Sequence, residues 1–268
     1  MEEVGGDMPL PKQKLSAAPY RDGGGVVLVA TGSFNPPTYM HLRMFELAKD
    51  ELELRGYSVL GGYMSPVNDA YKKKDLLPAA HRIRFCELAS KSSSFVMVDP
   101  WEAMQNGYQR TLTVLSRIRN SLCKDGVADQ GSLKVMLLCG SDLLESFTTP
   151  GVWILDQVRT ICQDFGVVCI RREGKDVGKL IDNSDILQEC RRTQAVYGRQ
   201  WRRHSIAVIE VFGGKLCNRQ GSAVDVYLRS QDTIWTVHSG QLLRTNTEIN
   251  GTGHLNYYYI FVKFDSGG

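Results

Sequence analysis

The sequence predicts an α/β fold built on a doubly wound parallel sheet. Three observations predict it: short apolar runs alternate with helical patterns, small-residue turns follow two of the runs, and 268 residues with 43% hydrophobic content suffice for one substantial core. Continuous apolar runs are typical of strands that helices cover on both faces. Strict alternation of strand and helix favours parallel strands joined by right-handed crossovers.

Five strands and four helices are predicted in the order of the chain. The strands are the apolar runs 26–30, 57–64, 95–98, 133–139 and 166–170. The helices are the periodic segments 40–54, 79–89, 112–122 and 154–162. In sheets of this kind, ligands bind at the carboxyl ends of strands where the winding direction reverses. If the first and fourth strands are neighbours, the turns that follow them flank that position.

The turn after the first strand is a candidate phosphate site. Gly32 and Ser33 allow a close approach of the backbone to an anion, and the prolines at 36–37 stop the strand. Thr38 is the predicted N-cap of the next helix, whose unpaired N–H groups and dipole favour an anion. His41 then falls in the first helical turn and is expected to point at the phosphate. The alternative interpretation is an ordinary strand, turn and helix with His41 as a surface histidine.

Four segments, in order, resemble one enzyme family. The run 32–43, Gly-Ser-Phe-Asn-Pro-Pro-Thr-Tyr-Met-His-Leu-Arg, resembles the signature of nicotinamide mononucleotide adenylyltransferases of the eukaryotic type, in which Thr-x-x-His replaces His-x-x-His. The further matches are Ser-Pro-Val-Asn-Asp-Ala-Tyr-Lys-Lys-Lys at 65–74, Val-Asp-Pro-Trp-Glu at 98–102, and Leu-Cys-Gly-Ser-Asp-Leu-Leu at 138–144, followed by Trp153. The resemblance covers about residues 25–175 and implies a Rossmann-like nucleotidyltransferase fold.

The resemblance implies adenylyl transfer in NAD biosynthesis. The 5′-phosphate of nicotinamide or nicotinate mononucleotide would attack the α-phosphorus of ATP, giving NAD or deamido-NAD and pyrophosphate. Because this nucleophile is already an anion, the reaction needs alignment and charge stabilisation instead of a general base. Mg²⁺ or another divalent cation is expected to bridge ATP oxygens with few protein ligands, so no metal-binding residues are predicted. A homo-oligomer is a further expectation from the family.

The resemblance also implies the residues of the site. The expected catalytic residues are His41, as a donor to the α-phosphate, and Lys73, as a point charge. The expected ATP and phosphate contacts are Gly32, Ser33, Phe34, His41, Lys73, Gly140 and Arg172. The expected mononucleotide contacts are Tyr71, Tyr108, Thr111, Asp142, Val152 and Trp153, whose aromatic members suit a flat pyridinium ring.

Simpler interpretations stand beside several of these assignments. Most short lysine runs are solvated loops, and large aromatic side chains such as Trp153 and Tyr108 usually fill a core. Asp142 can cap a helix instead of binding a ribose or an amide. Arg172 can simply face solvent.

Charge and cysteine usage exclude several classes of protein. The net charge of +3 arises after residue 196, where 8 Lys and Arg stand against 5 Asp and Glu, so no basic field for nucleic acid covers the catalytic part. Seven cysteines without a Cys-x-x-Cys pair indicate neither a disulfide framework nor a zinc site. Residues 1–22 contain no long apolar stretch, so no signal peptide or membrane span is expected. We expect a cytoplasmic or nuclear protein.

The character of the chain changes near residue 190. We expect a flexible segment at 1–24, the nucleotidyltransferase domain at 25–190 and a divergent C-terminal segment at 191–268. The Ile-Ser-Ser-Thr-x-x-Arg element, which in the family binds ATP phosphates, has no counterpart, and strand-like pieces occur at 206–212, 223–228 and 257–264. One hypothesis derives this segment from alternative splicing or a shifted reading frame. Another makes it a β-rich module whose basic residues restore positive charge: Arg199, Arg202, Arg203 and His204.

Two other functions stay open at this level. One is a nucleotide-binding or partner-binding isoform that is catalytically impaired because it lacks the C-terminal phosphate element. The other is a related nucleotidyltransferase with a different acceptor, such as a pantetheine phosphate.

Overall fold

A computed structural model gives the fold of the chain. It describes residues 8–17, 20, 24–127, 132–171, 175–192, 206–210, 234–238, 241–249 and 255–261. Arg172 and the predicted strand 223–228 lie outside the described residues. Two compact units are present, Met1–Leu216 and Cys217–Gly268.

A six-stranded parallel sheet forms the centre of the first unit, in the order β3-β2-β1-β4-β5-β6. Its strands are β1 Gly25–Gly32, β2 Ser58–Pro66, β3 Val96–Val98, β4 Leu133–Gly140, β5 Val167–Arg171 and β6 Ile206–Glu210. The first and fourth strands pair directly, from Gly25 with Leu133 to Val29 with Leu137. The predicted doubly wound parallel sheet is confirmed, and the winding direction reverses between β1 and β4.

Helices pack on both faces of this sheet. They are α1 Tyr39–Leu54, α2 Ala79–Ser90, α3 Thr111–Lys124, α4 Ser141–Ser146, α5 Leu155–Thr160, α6 Val177–Asp182 and α7 Asp185–Arg192. The predicted helix at 154–162 is divided, because α5 passes at its end into a π-helical turn, Ile161–Phe165. The short helices α6 and α7 have no predicted counterpart.

The core forms two layers because β4 alternates its side chains between the faces of the sheet. Val135 and Leu137 pack with α3 and α5, whereas Met136 and Leu138 pack with α1. Each fully buried aliphatic side chain contributes about 1.5–3 kcal/mol relative to an exposed one. This buried sheet fixes the positions of the loops at its carboxyl edge.

Residues 8–17 pack against the domain, in contrast to the flexible segment predicted up to residue 24. Leu10 is only 5% exposed and belongs to the core layer that contains α3. An apolar side chain buried in this way anchors the chain on either side of it.

A three-stranded antiparallel sheet forms in the second unit. Its strands, in the order β7-β8-β9, are β7 Ile234–His238, β8 Gln241–Ile249 and β9 Leu255–Phe261. The strand-like pieces 206–212 and 257–264 overlap β6 and β9. The domain boundary at residue 190 stays a prediction. Among the described helices, none has the length and apolar character that crossing a membrane requires.

Candidate active site

The turn between β1 and α1, residues 32–38, is the predicted anion site and is called the phosphate turn below. Thr38 is the N-cap of α1, with an extended backbone, and His41 is the third residue of the helix. Phe34 is buried and adopts a left-handed conformation at φ 43°. This conformation turns the chain sharply between the end of β1 and the start of α1.

The hydrogen bonds of His41 assign its tautomer. The backbone N–H of Thr38 donates to Nδ1 of His41 at 2.9 Å, and the Thr38 hydroxyl lies 2.8 Å from the same nitrogen. A nitrogen that accepts from an N–H cannot carry a proton, so the neutral ring carries its proton on Nε2. Phe34 packs against the imidazole edge-on, with ring centroids 5.3 Å apart. His41 therefore presents an N–H donor on the side opposite Thr38.

Lys73 reaches the same turn from the loop after β2. Its Nζ donates to Oγ of Ser33 at 3.0 Å. Asn35 fixes the two loops together, since its amide donates to the Asp75 carbonyl at 2.8 Å and accepts from the Leu77 N–H at 3.0 Å. The structure thus brings together two residues that are forty positions apart in the sequence.

Arg82 on α2 is the buried centre of this arrangement and was not predicted from the sequence. Its side chain is fully buried and donates to the carbonyls of Ser33 at 3.1 Å, Val67 at 2.7 Å and Leu77 at 2.7 Å, and to the carboxylate of Asp69 at 2.7 Å. A sequence signal did exist, because position 82 lies three residues after Ala79 on the buried face of α2. A charged residue on that face requires a polar partner in the interior.

The turn after β4 lies level with the phosphate turn. Gly140 and Gly32 each stand three residues beyond the last paired residues of their neighbouring strands, Val29 and Leu137. Gly140 is also the N-cap of α4, so Asp142 lies in the first turn, where a carboxylate interacts favourably with the helix dipole. Asp142 is exposed at this edge, and its role as a ligand contact stays a prediction.

Two of the predicted mononucleotide contacts, both tyrosines, stack on each other. The rings of Tyr71 and Tyr108 are 5.7 Å apart at 28°, and each residue is 44% exposed. Asn68 connects their loops, because its side-chain amide donates to the Gln105 carbonyl at 2.6 Å and its Oδ1 accepts from the Ala70 N–H at 2.8 Å. These aromatic faces lie on the loops that follow β2 and β3.

Trp153 lies in the region after α4 and is partly buried. Its ring packs edge-on against Phe147 at 4.6 Å, and its Nε1–H donates to Oγ of Ser146 at 2.9 Å. Val152 beside it is exposed, whereas Thr111, the first residue of α3, is buried. The predicted mononucleotide residues therefore form two groups, one after β2 and β3 and one after β4.

Two buried carboxyl groups lie at the base of the loop after β3. Burial raises the pKa of Glu102 to about 8, with Asp99 adding to the increase and the Asn68 N–H and Arg82 opposing it. Oε1 of Glu102 has no hydrogen-bond partner among the described residues. Burial also raises the pKa of Asp99, against the opposing effect of Arg117, whose Nη1 donates to both carboxylate oxygens at 2.9 and 2.8 Å.

The described residues contain no group of His, Cys, Asp and Glu that could hold a metal ion. The six cysteines among them are free thiols.

Comparison with known proteins gives consistent matches. The cytidylyltransferase-like family matches residues 29–210. The chain is similar to the nicotinamide/nicotinic acid mononucleotide adenylyltransferase of Oryza sativa subsp. japonica, with 78% identity over 194 residues, covering 71% of this chain and 77% of that protein. The protein of the same name from Arabidopsis thaliana is 65% identical over 184 residues, covering 68% and 77%. Nicotinamide/nicotinic acid mononucleotide adenylyltransferase 1 of Bos taurus is 42% identical over 197 residues, covering 60% and 70%.

Proposed function

The chain belongs to the nicotinamide/nicotinic acid mononucleotide adenylyltransferases, within the cytidylyltransferase-like family, and on that basis we propose that it transfers the adenylyl group of ATP to nicotinamide or nicotinate mononucleotide. The products are NAD or deamido-NAD and pyrophosphate. The observation that carries the proposal is the position of His41, in the first turn of α1 at the reversal of the sheet, with Nδ1 occupied by Thr38.

The proposed step is a substitution at the α-phosphorus of ATP. A phosphate oxygen of the mononucleotide forms a bond to that phosphorus, and the bond to the oxygen of the β-phosphate breaks. Negative charge on the reacting phosphoryl group is stabilised by the N–H groups of residues 32–34, by Nε2–H of His41 and by the ammonium group of Lys73. The contact between Lys73 and Ser33 supports this arrangement, because it places the cation at the phosphate turn before substrate binds.

The aromatic residues are proposed to bind the mononucleotide. Trp153 and the pair Tyr71 and Tyr108 offer faces for a pyridinium ring, which is flat and positively charged. Asp142 is proposed to accept from a ribose hydroxyl or an amide. Thr111, Val152, Gly140 and Arg172 complete the proposed site.

Mg²⁺ is proposed to enter with ATP. This ion prefers phosphate oxygens and retained waters to an all-protein cage, and on the phosphates it would neutralise charge during the transfer. We propose a reducing compartment, cytoplasm or nucleus, which agrees with the free thiols of the described residues. A homo-oligomer stays a prediction.

The test is product formation by the purified full chain. With ATP, Mg²⁺ and nicotinamide mononucleotide, we expect one dinucleotide and one pyrophosphate per turnover. His41→Ala should abolish most of this turnover, and His81→Ala, which removes an exposed histidine of α2, should retain it. Mononucleotide binding without turnover in the wild type would contradict the proposal and indicate the binding isoform. Preference for a pantetheine phosphate as acceptor would contradict it in favour of a different transferase.

A further inference from the structure

Residues 8–17 form a strap that lies on the sheet; we use this name for them below. Leu15 of the strap lies where Gly61 of β2 leaves room, since a Cβ on Gly61 would stand 2.6 Å from Cδ2 of Leu15. Leu10 is buried in the core layer of α3. Gly61 therefore provides the space into which the strap packs.

Polar contacts tie the strap to the neighbouring strands. The N–H of Ser16 donates to the Leu60 carbonyl at 2.8 Å. Nζ of Lys14 donates to the carbonyls of Ser90 at 2.7 Å and Val96 at 2.9 Å, which joins the strap to the end of α2 and the start of β3. Burial lowers the pKa of Lys14.

The first residues of the strap contact Arg117 of α3 and its neighbours. Nη2 of Arg117 donates to the Met8 carbonyl, and the hydroxyl of Tyr63 donates to the Pro11 carbonyl at 2.6 Å. Through Nη1 the same arginine binds the buried Asp99, and its guanidinium lies 5.0 Å above the ring of Trp101. Arg117 thus connects the strap to the start of the loop after β3.

That loop, residues 99–110, carries Tyr108. Arg117 holds its first residues, and Asn68 holds its middle through the carbonyls of Glu102, Ala103 and Gln105. Tyr108 lies between the last Asn68 contact, at Gln105, and the start of α3, and its ring stacks on that of Tyr71. The position of Tyr108 therefore depends on both anchors, Arg117 at the start of the loop and Asn68 in its middle.

We propose that the strap positions the loop 99–110 through Arg117 and thereby sets the affinity for the mononucleotide. Arg117 is a positioning residue in this scheme. Its planar fork donates to the Asp99 carboxylate through Nη1 and to the Met8 carbonyl through Nη2, a fixed spacing of two donor nitrogens that the single ammonium nitrogen of a lysine does not reproduce. The inference rests on the proposed function insofar as Tyr108 is a mononucleotide contact there. Residues 32–34 and Lys73, which would hold ATP, have their anchors in Arg82 and Asn35 instead.

The test measures ligand binding to the full chain in two variants, each of which should loosen the loop 99–110 in a different way. Arg117→Lys keeps the charge and removes the fork. Gly61→Val displaces Leu15 and leaves Arg117 in place. Arg119→Lys is the matched control, because Arg119 lies on the same helix but stacks over Phe165.

Calorimetry gives the Kd for nicotinamide mononucleotide and, separately, for ATP with Mg²⁺. We expect a rise of roughly tenfold in the mononucleotide Kd for Arg117→Lys and for Gly61→Val, with an ATP Kd within about twofold of the wild type. Both substitutions are expected to disrupt the same chain of contacts from the strap to the loop. The mononucleotide Kd of the double variant should therefore not exceed that of the more weakly binding single variant. Arg119→Lys should bind both ligands as the wild type does.

Each outcome either supports or overturns the proposed role of the strap. An unchanged mononucleotide Kd in Arg117→Lys, or an equal loss of ATP affinity, would overturn it, even if Gly61→Val fails to fold. Binding without turnover in the wild type would refute the proposed function alone, since the Kd comparison still tests the strap. A wild type that binds no mononucleotide would overturn both.

Discussion

The two halves of the candidate site are built in different ways. The phosphate half, residues 32–34 with His41 and Lys73, is fixed by hydrogen bonds from Arg82, Asn35 and Thr38. In the proposed mononucleotide half, the rings of Tyr71, Tyr108 and Trp153 pack on other aromatic rings, hydrogen bonds with Asn68 hold the backbone of the tyrosine loops, and both tyrosines are 44% exposed. Rigid donors are needed where charge develops, whereas stacked rings tolerate small displacements. We therefore expect variants of the first half to change stability and turnover, and variants of the second to change affinity.

Removal of Arg82 should have the largest effect. Arg82→Met leaves three carbonyls and the Asp69 carboxylate without their buried donor, so we expect a loss of about 3–5 kcal/mol in the free energy of unfolding. Urea denaturation of the full chain measures it. Arg84→Met, on the exposed face of the same helix, should stay within about 0.5 kcal/mol of the wild type. Equal stability of the two variants would show that Arg82 does not hold the phosphate half together.

Removal of the Lys73 charge should come next. In Lys73→Met we expect kcat to fall about 10²-fold, because a cation at the phosphate turn is lost. Steady-state kinetics at saturating mononucleotide measure the change. Lys72→Met and Lys74→Met should lose far less, since the hydrogen bond to Ser33 belongs to Lys73. A similar loss in all three variants would indicate a general basic loop.

A smaller effect is expected at Trp153. Trp153→Leu should raise the KM for the mononucleotide roughly tenfold while kcat changes less, because a stacking face is removed. Trp153→Phe should recover part of the affinity. If the KM stays constant and only thermal stability falls, Trp153 serves to pack on Phe147.

The smallest effect concerns pH and Glu102. The folded chain retains the proton of this carboxyl up to about pH 8, whereas the unfolded chain releases it near 4.5. The folded state therefore binds more protons in this window, and stability decreases as the pH rises through it. Asp99 and Arg82, which also influence the pKa of Glu102, are unchanged in Glu102→Gln. The variant therefore differs from the wild type in having no titratable group at position 102.

Between pH 7 and pH 8 we expect the free energy of unfolding of Glu102→Gln to fall by about 1 kcal/mol less than that of the wild type. Urea denaturation of both proteins across this range measures the difference. Parallel pH profiles of the two proteins would contradict the assignment.

The strands β1 to β5 could be predicted because buried parallel strands are continuously apolar and small-residue turns follow them. The N-cap at Thr38 and the position of His41 followed from local chemistry. The contact between Lys73 and Ser33 could not be predicted, since it depends on the adjacency of β1 and β2. The roles of the site residues stay predictions, and Arg172 lies outside the described residues.

Other features left too weak a signal in the sequence. Leu10 and Leu15 stand among prolines and lysines without periodicity, so the strap resembled a flexible segment. The helices α6 and α7 are too short for a clear helical period. The burial of Glu102 depends on the loop that folds over it.

The most direct test of the account is kcat in variants of His41. A glutamine at this position can accept from the Thr38 N–H and still donate an N–H, whereas alanine can do neither. We predict that His41→Ala lowers kcat by about 10²–10³-fold with an unchanged mononucleotide KM, and that His41→Gln retains a measurable part of the rate. A kcat for His41→Ala within about threefold of the wild type would contradict the account, because no donor would then be required at the phosphate turn.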